Sequence, residues 1–196
     1  TALLETITAL SKQFGFPTLF DDATLITTTK LTKQVGISAE SAGMLAAATV
    51  TTGKNFEDQY KDALGTSYEL QRQSGVQLDL RNILEESGKV TGTIRANLGA
   101  NVEIIAAVVT QAKLFGGSLD DVANASKALL DFESSITAEL EAELLLGKNI
   151  NLETARQASL NGDLATVAKE LTKEAGDYTE FSKMNVIQQE ALAKAM

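Results

Sequence analysis

The sequence predicts an all-α fold, a compact bundle of roughly ten short-to-medium helices joined by short Gly-capped loops. Three observations predict it. Glycines are followed closely by Ser, Asn or Asp again and again, as at Gly36/Ser38, Gly53/Asn55, Gly99/Asn101, Gly117/Ser118 and Gly176/Asp177. Glycine ends a helix because it enters the left-handed region without a Cβ clash, and the small polar residue starts the next by accepting from free N–H groups. Between these marks apolar residues recur every three or four positions. Nowhere does a convincing alternation of apolar and polar residues run long enough to support a strand.

Each element follows from these signals. Periodicity alone places a helix at about 2–14. The Asp21-Asp22 pair, favourable charge at a helix N-terminus, opens the next at 21–35. Thr27-Thr28-Thr29 sits badly in it, because β-branched residues lose rotamer freedom in a helix. Ser38 opens 38–52, and Asn55, with Asp58 three residues on, opens 55–74. Shorter helices follow at 78–87 and 90–98. Asn101 opens 101–115, where Ile104, Ala107 and Val108 join Val102, Ile105 and Val109 to make a helix apolar nearly all round, the mark of a central helix. Ser118 with Asp121 opens a long helix at 118–146. Its Leu129, Phe132, Ile136, Leu140 and Leu144 form one stripe, which puts Glu139 and Glu141 on an exposed acidic face opposite. Gly147 and Asn151 separate it from 151–160, then 162–175. Asn185 with Gln188 opens 185–196.

The composition narrows function. The 196 residues include no His and no Cys, so there is no imidazole base, thiol nucleophile, Ser–His–Asp triad or cysteine metal site. A net charge of −9 disfavours nucleic acid and anionic membrane surfaces as partners. The longest apolar run, Ile104–Val109, falls far short of the ~20 residues that cross a bilayer. The Gly-Lys pairs at 53–54, 88–89 and 147–148 lack both the earlier Gly and the following Ser or Thr of a phosphate loop, and no Gly-x-Gly occurs. Asp21-Asp22 and Asp120-Asp121 are adjacent pairs, unlike the alternating acids of a calcium loop.

Glu139 and Glu143, with Glu133 nearby, are the one set of carboxylates that a His-free glycosidase would use. Such pairs sit across a cleft with aromatic residues to hold the sugar. This chain has three Tyr and no Trp, so the solvated acidic face is the favoured reading. Lys148 is placed to meet the carbonyl end of the preceding helix. Tyr60, Tyr68 and Tyr178 are scattered and read as packing or interface anchors. No catalytic, cofactor-binding or metal-ligating residue is assigned.

From Leu114 onward the chain resembles a known family. The runs Leu114-Phe115-Gly116-Gly117-Ser118-Leu119-Asp120-Asp121-Val122-Ala123 and Leu130-Asp131-Phe132-Glu133-Ser134-Ser135-Ile136 are similar to tailed-phage tail tape-measure proteins and related long virion structural proteins. So are Glu143–Lys148, Ala155-Arg156-Gln157-Ala158, Asn161–Leu164 and Glu180–Gln188. The resemblance covers 114–196. It implies a virion protein, made in the host cytoplasm, that acts in tail assembly, length determination and release during DNA ejection. The implied partners are other copies of itself, tail-tube proteins and baseplate hub proteins, with no cofactor and no catalysis in this segment. The many Gly breaks depart from an extended ruler, which makes this part a globular module, 1–196, with a soft boundary near 117. The C-terminal helix carries no stop signal, so the chain reads as a fragment of a longer one. Ala- and Leu-rich faces in excess of one core are the expected contact surface. The alternatives are a helical peptidoglycan-hydrolase domain using Glu139 or Glu143, and a cytoplasmic helical adaptor.

Overall fold

In the computed structural model, residues 4–5, 7–8, 11–12, 21–90, 92–99, 101–114, 116–176 and 178–196 are described. The chain is 81% helical, with twelve helices and no strand among these residues. All-α is therefore the fold class. Of the helix expected at 2–14 only six residues are described, and all six are helical. Tertiary contacts divide the chain into two compact units, Thr1–Thr110 and Gln111–Met196. The division falls inside the helix Val102–Leu114.

In the first unit α1 (Asp22–Lys30) starts at Asp21, whose carboxylate accepts from the Thr24 N–H at 3.1 Å. The threonines that make this segment a poor helix are accommodated by bonding backwards. The hydroxyls of Thr28, Thr29 and Thr32 donate to the carbonyls four residues earlier at 2.7, 2.7 and 2.9 Å. The helix then widens into a π turn, Leu31–Val35, and stops at left-handed Gly36. Next come α2 (Ala39–Thr52), α3 (Phe56–Ser74), α4 (Leu80–Lys89), α5 (Gly92–Leu98) and the first part of α6 (Val102–Leu114).

Side chains of α4 hold the start of α2. Glu85 accepts from the Ser38 N–H at 2.7 Å, and Arg81 donates to the Gly36 carbonyl at 2.8 Å. Burial works against the Glu85 charge, but the Ser38 N–H and then the Ser38 hydroxyl outweigh it and hold the carboxyl below its ordinary value. α2 and α4 touch at two small residues, Ser41 and Gly88. The helix expected to be apolar all round is deeply buried. Val102, Ile105, Ala106, Val108 and Val109 are fully shielded, and only Ile104 reaches solvent appreciably. Its Thr110 hydroxyl meets the Ser67 hydroxyl of α3 at 3.0 Å, so this polar pair is satisfied inside the core.

In the second unit the expected helix 118–146 is two helices, α7 (Leu119–Leu129) and α8 (Phe132–Leu146). Asp131 causes the break. Its carboxylate accepts from the Ser134 N–H at 3.4 Å and the Ser134 hydroxyl at 2.8 Å, which makes it the N-cap of α8. Then follow α9 (Glu153–Leu160), α10 (Leu164–Ala175), α11 (Tyr178–Lys183) and α12 (Val186–Ala195). The sequence reading assigns no helix span to α11, although it marks Asp177, directly before it, as a helix start. α12 packs along α8, α9 packs on α10, and α7 touches both α9 and α10.

The capping boxes at Ser118/Asp121 and Asn185/Gln188 close in both directions. Asn55 caps α3 through the Glu57 N–H alone. The helix start marked at Asp177 lies outside the described residues. Gly116, not Gly117, takes the left-handed conformation before α7.

Candidate functional site

α8 buries the face opposite to the one expected. Ser135, Ala138 and Ala142 point inward. Ala191, Leu192 and Ala195 are the buried residues of α12, which packs along α8. The apolar stripe faces out: Phe132 is 43% exposed, Ile136 44%, Leu140 55% and Leu144 86%. Leu129 alone of the expected stripe is buried, and it belongs to α7. Small inward residues let neighbouring helices approach closely, so the unit closes without using the large side chains of α8.

Two of the four acids of α8, Glu139 and Glu143, are correspondingly drawn inward rather than left on a solvated face. Glu139 and Arg156 of α9 form an ion pair at 2.5 Å with side chains only 13% and 5% exposed. Arg156 also donates to the Ser135 hydroxyl at 3.2 Å. The other Glu139 oxygen accepts from the Leu152 N–H at 3.4 Å, and Glu143 accepts from the Ile150 N–H at 2.8 Å. Both carboxylates therefore fasten the loop that leads into α9. The sequence misses this because Arg156 lies 17 residues beyond Glu139 on another helix, and periodicity carries no information about partners across elements. Glu133 and Glu141 do lie in solvent, Glu141 paired with Lys194 at 2.8 Å. Lys148 caps a helix, but a different one from that expected. Its ammonium donates to the Glu174 carbonyl near the end of α10 at 3.0 Å.

The exposed face continues beyond the stripe. Gln188 donates to the Leu145 carbonyl at 3.1 Å, which sets the start of α12 beside the end of α8. Val186 and Ile187 there are 67% and 64% exposed, and Leu145 is 42% exposed. Shallow hollows flank Leu140 and Leu144, one closed by Gly147 and Lys148 and the other by Thr137 and Leu145. Scattered exposed aliphatic residues are ordinary on a soluble protein, whereas a contiguous patch rimmed by polar groups marks a contact surface.

A separate cavity of about 500 Å³ lies between α7, α10 and the end of α12. Its walls include Ala125, Ala128, Ala168 and Leu171, with Asp121 and Lys194 among its few polar groups. No group of three or more potential metal-ligating side chains occurs among the described residues. No single helix there is long and apolar enough to cross a membrane. Tyr68 is exposed, Tyr60 is half-buried with its hydroxyl pushed above the usual value by that burial, and the side chain of Tyr178 lies outside the described residues. No protein family, curated protein or solved structure matches this chain.

Proposed function

We propose that the chain is a structural module of a tailed-phage tape-measure-type protein. It takes part in tail assembly and length determination, and leaves the tail during DNA ejection. It works by helix packing and oligomerisation, without catalysis, in contact with other copies, tail-tube proteins and baseplate hub proteins. The observation that carries this reading is the outward apolar face of α8. It lies in the segment that bears the resemblance, 114–196, and that segment falls within the second unit. Glu139 and Glu143, which a hydrolase would need, are engaged with Arg156 and with backbone N–H groups. Mass spectrometry of purified tails tests the proposal: the chain should be recovered from the particles, and its absence from them would overturn the assignment.

A further inference from the structure

We propose that Asn161 is a site of spontaneous modification. Its carboxamide condenses with the Gly162 nitrogen and ages to aspartate or isoaspartate, which loosens the turn between α9 and α10. The proposal is independent of the virion assignment. Of the nine asparagines in the chain, Asn161 alone precedes glycine, which has no Cβ to hinder approach to its own nitrogen. The fold adds a second selection. Asn55, Asn101, Asn151 and Asn185 each accept, through the side-chain oxygen, from a backbone N–H at the start of a helix, at 2.8, 3.0, 3.0 and 2.9 Å. Asn161 instead ends α9 and is exposed. Its side chain has no hydrogen-bond partner among the described residues.

The chemistry needs water and no oxidant or reductant. The Gly162 nitrogen gives up its proton and bonds to Asn161 Cγ. The Cγ–Nδ2 bond breaks, and ammonia leaves with that proton, closing a cyclic imide. Water then adds to one of the two imide carbonyls. Cleavage of the nitrogen from Cγ gives aspartate on an ordinary backbone. Cleavage from the backbone carbonyl gives isoaspartate, whose chain runs through Cβ and Cγ and is one methylene longer.

The closed turn holds this reaction back. Gly162 sits at φ 70° and donates its N–H to the Ser159 carbonyl at 3.1 Å, and Asp163 donates to the Ala158 carbonyl at 2.9 Å. Asn161 has ψ −3°, which eclipses the Gly162 nitrogen with the nitrogen of Asn161 and not with its side chain. Ring closure therefore requires the Gly162 N–H to be released and the Asn161 ψ to turn, so its rate follows local opening of the turn. Asp163 limits that opening. Its carboxylate accepts from the Thr166 N–H at 3.0 Å and the Thr166 hydroxyl at 2.6 Å, which fixes the start of α10. The longer isoaspartyl backbone no longer fits the bonds to Ser159 and Ala158, and it weakens the seating of α9 on α10.

Incubation of the full chain at mildly alkaline pH tests it, followed over time by peptide mass spectrometry and by enzymatic methylation of isoaspartate. The mass gain of an amide replaced by an acid should collect at Asn161. It should quicken as pH rises, because the attacking nitrogen must lose its proton. Asn161→Gln should abolish it. Asp163→Ala should speed it about fivefold, the weight of one N-cap, whereas Asp163→Ser, which also caps, should stay near the wild-type rate. An unfolded peptide carrying the same Asn161-Gly162 sequence should react faster than the chain. The isoaspartyl form, separated by ion exchange, should melt at a lower temperature than the unmodified chain. An unmodified Asn161 in the chain while the peptide reacts, or a gain spread evenly over the asparagines, would overturn the site. Equal rates in Asp163→Ala and wild type would overturn control by the turn, and equal melting temperatures would overturn the loosening.

Discussion

A methyl group at position 88 has nowhere to go. A Cβ built on Gly88 would sit 2.5 Å from the Ser41 Cβ and 2.6 Å from the Ser41 carbonyl oxygen, so backbone would have to move. Gly88→Ala should therefore cost about 1–3 kcal/mol in urea denaturation, the usual penalty for overpacking. Gly65 supplies the contrast: it lies inside α3 with open space around its missing Cβ. Gly65→Ala should stabilise by about 0.5–1 kcal/mol, because alanine loses less backbone entropy in a helix. Arg156 is the other residue on which local order depends. Arg156→Ala strands the Glu139 carboxylate at 13% exposure, at a cost of about 3–5 kcal/mol. Replacing both with apolar residues of similar size should restore most of that loss, and a double-mutant cycle on denaturation midpoints checks it.

Within single elements the capping chemistry makes the sharpest claim. The Ser118 hydroxyl, then the Ser118 N–H, hold the Asp121 carboxyl below its ordinary value, with the Lys113 charge adding to them. A depressed carboxyl contributes stability that is fully present above its unfolded pKa and is lost as pH falls through the lower folded one. In Ser118→Ala the Asp121 titration followed by NMR should move up toward the ordinary carboxylate value, and a titration that does not move would remove this account of the cap. That box was legible because both partners lie within four residues of one another. The break at Leu130–Asp131 was not, since neither Gly nor Pro marks it and the apolar spacing runs straight through. Asp131 with Ser134 carried the signal, but it sits between two hydrophobic residues that read as one stripe. The inverted burial of α8 was hidden for a different reason. Spacing tells which side chains share a face, and only the neighbours decide which face turns inward. Here the deciding neighbours are Arg156 and the small buried face of α12.

For the whole molecule, the same absences that remove catalytic equipment also shape its charge. Without His or Cys, no side chain has an ordinary pKa between the carboxylates and the tyrosines and lysines. The net charge of −9 is thus nearly constant across neutral pH, and repulsion between copies is steady there. That repulsion vanishes near pH 4.6, the isoelectric point. Light scattering should show association rising toward that pH, and Leu144→Asp should blunt the rise. An equal rise in the variant would mean that the α8 face is not the contact.

The outward stripe also imposes an order in time. Ser135, Ala138, Ala142 and Glu139 settle against partners on their own chain, where the effective concentration is on the order of millimolar or higher whatever the dilution. On the proposed function, Leu140 and Leu144 wait for a partner from outside their own chain. A chain built this way folds first and joins later, so the rate at which that partner accumulates sets the pace of assembly.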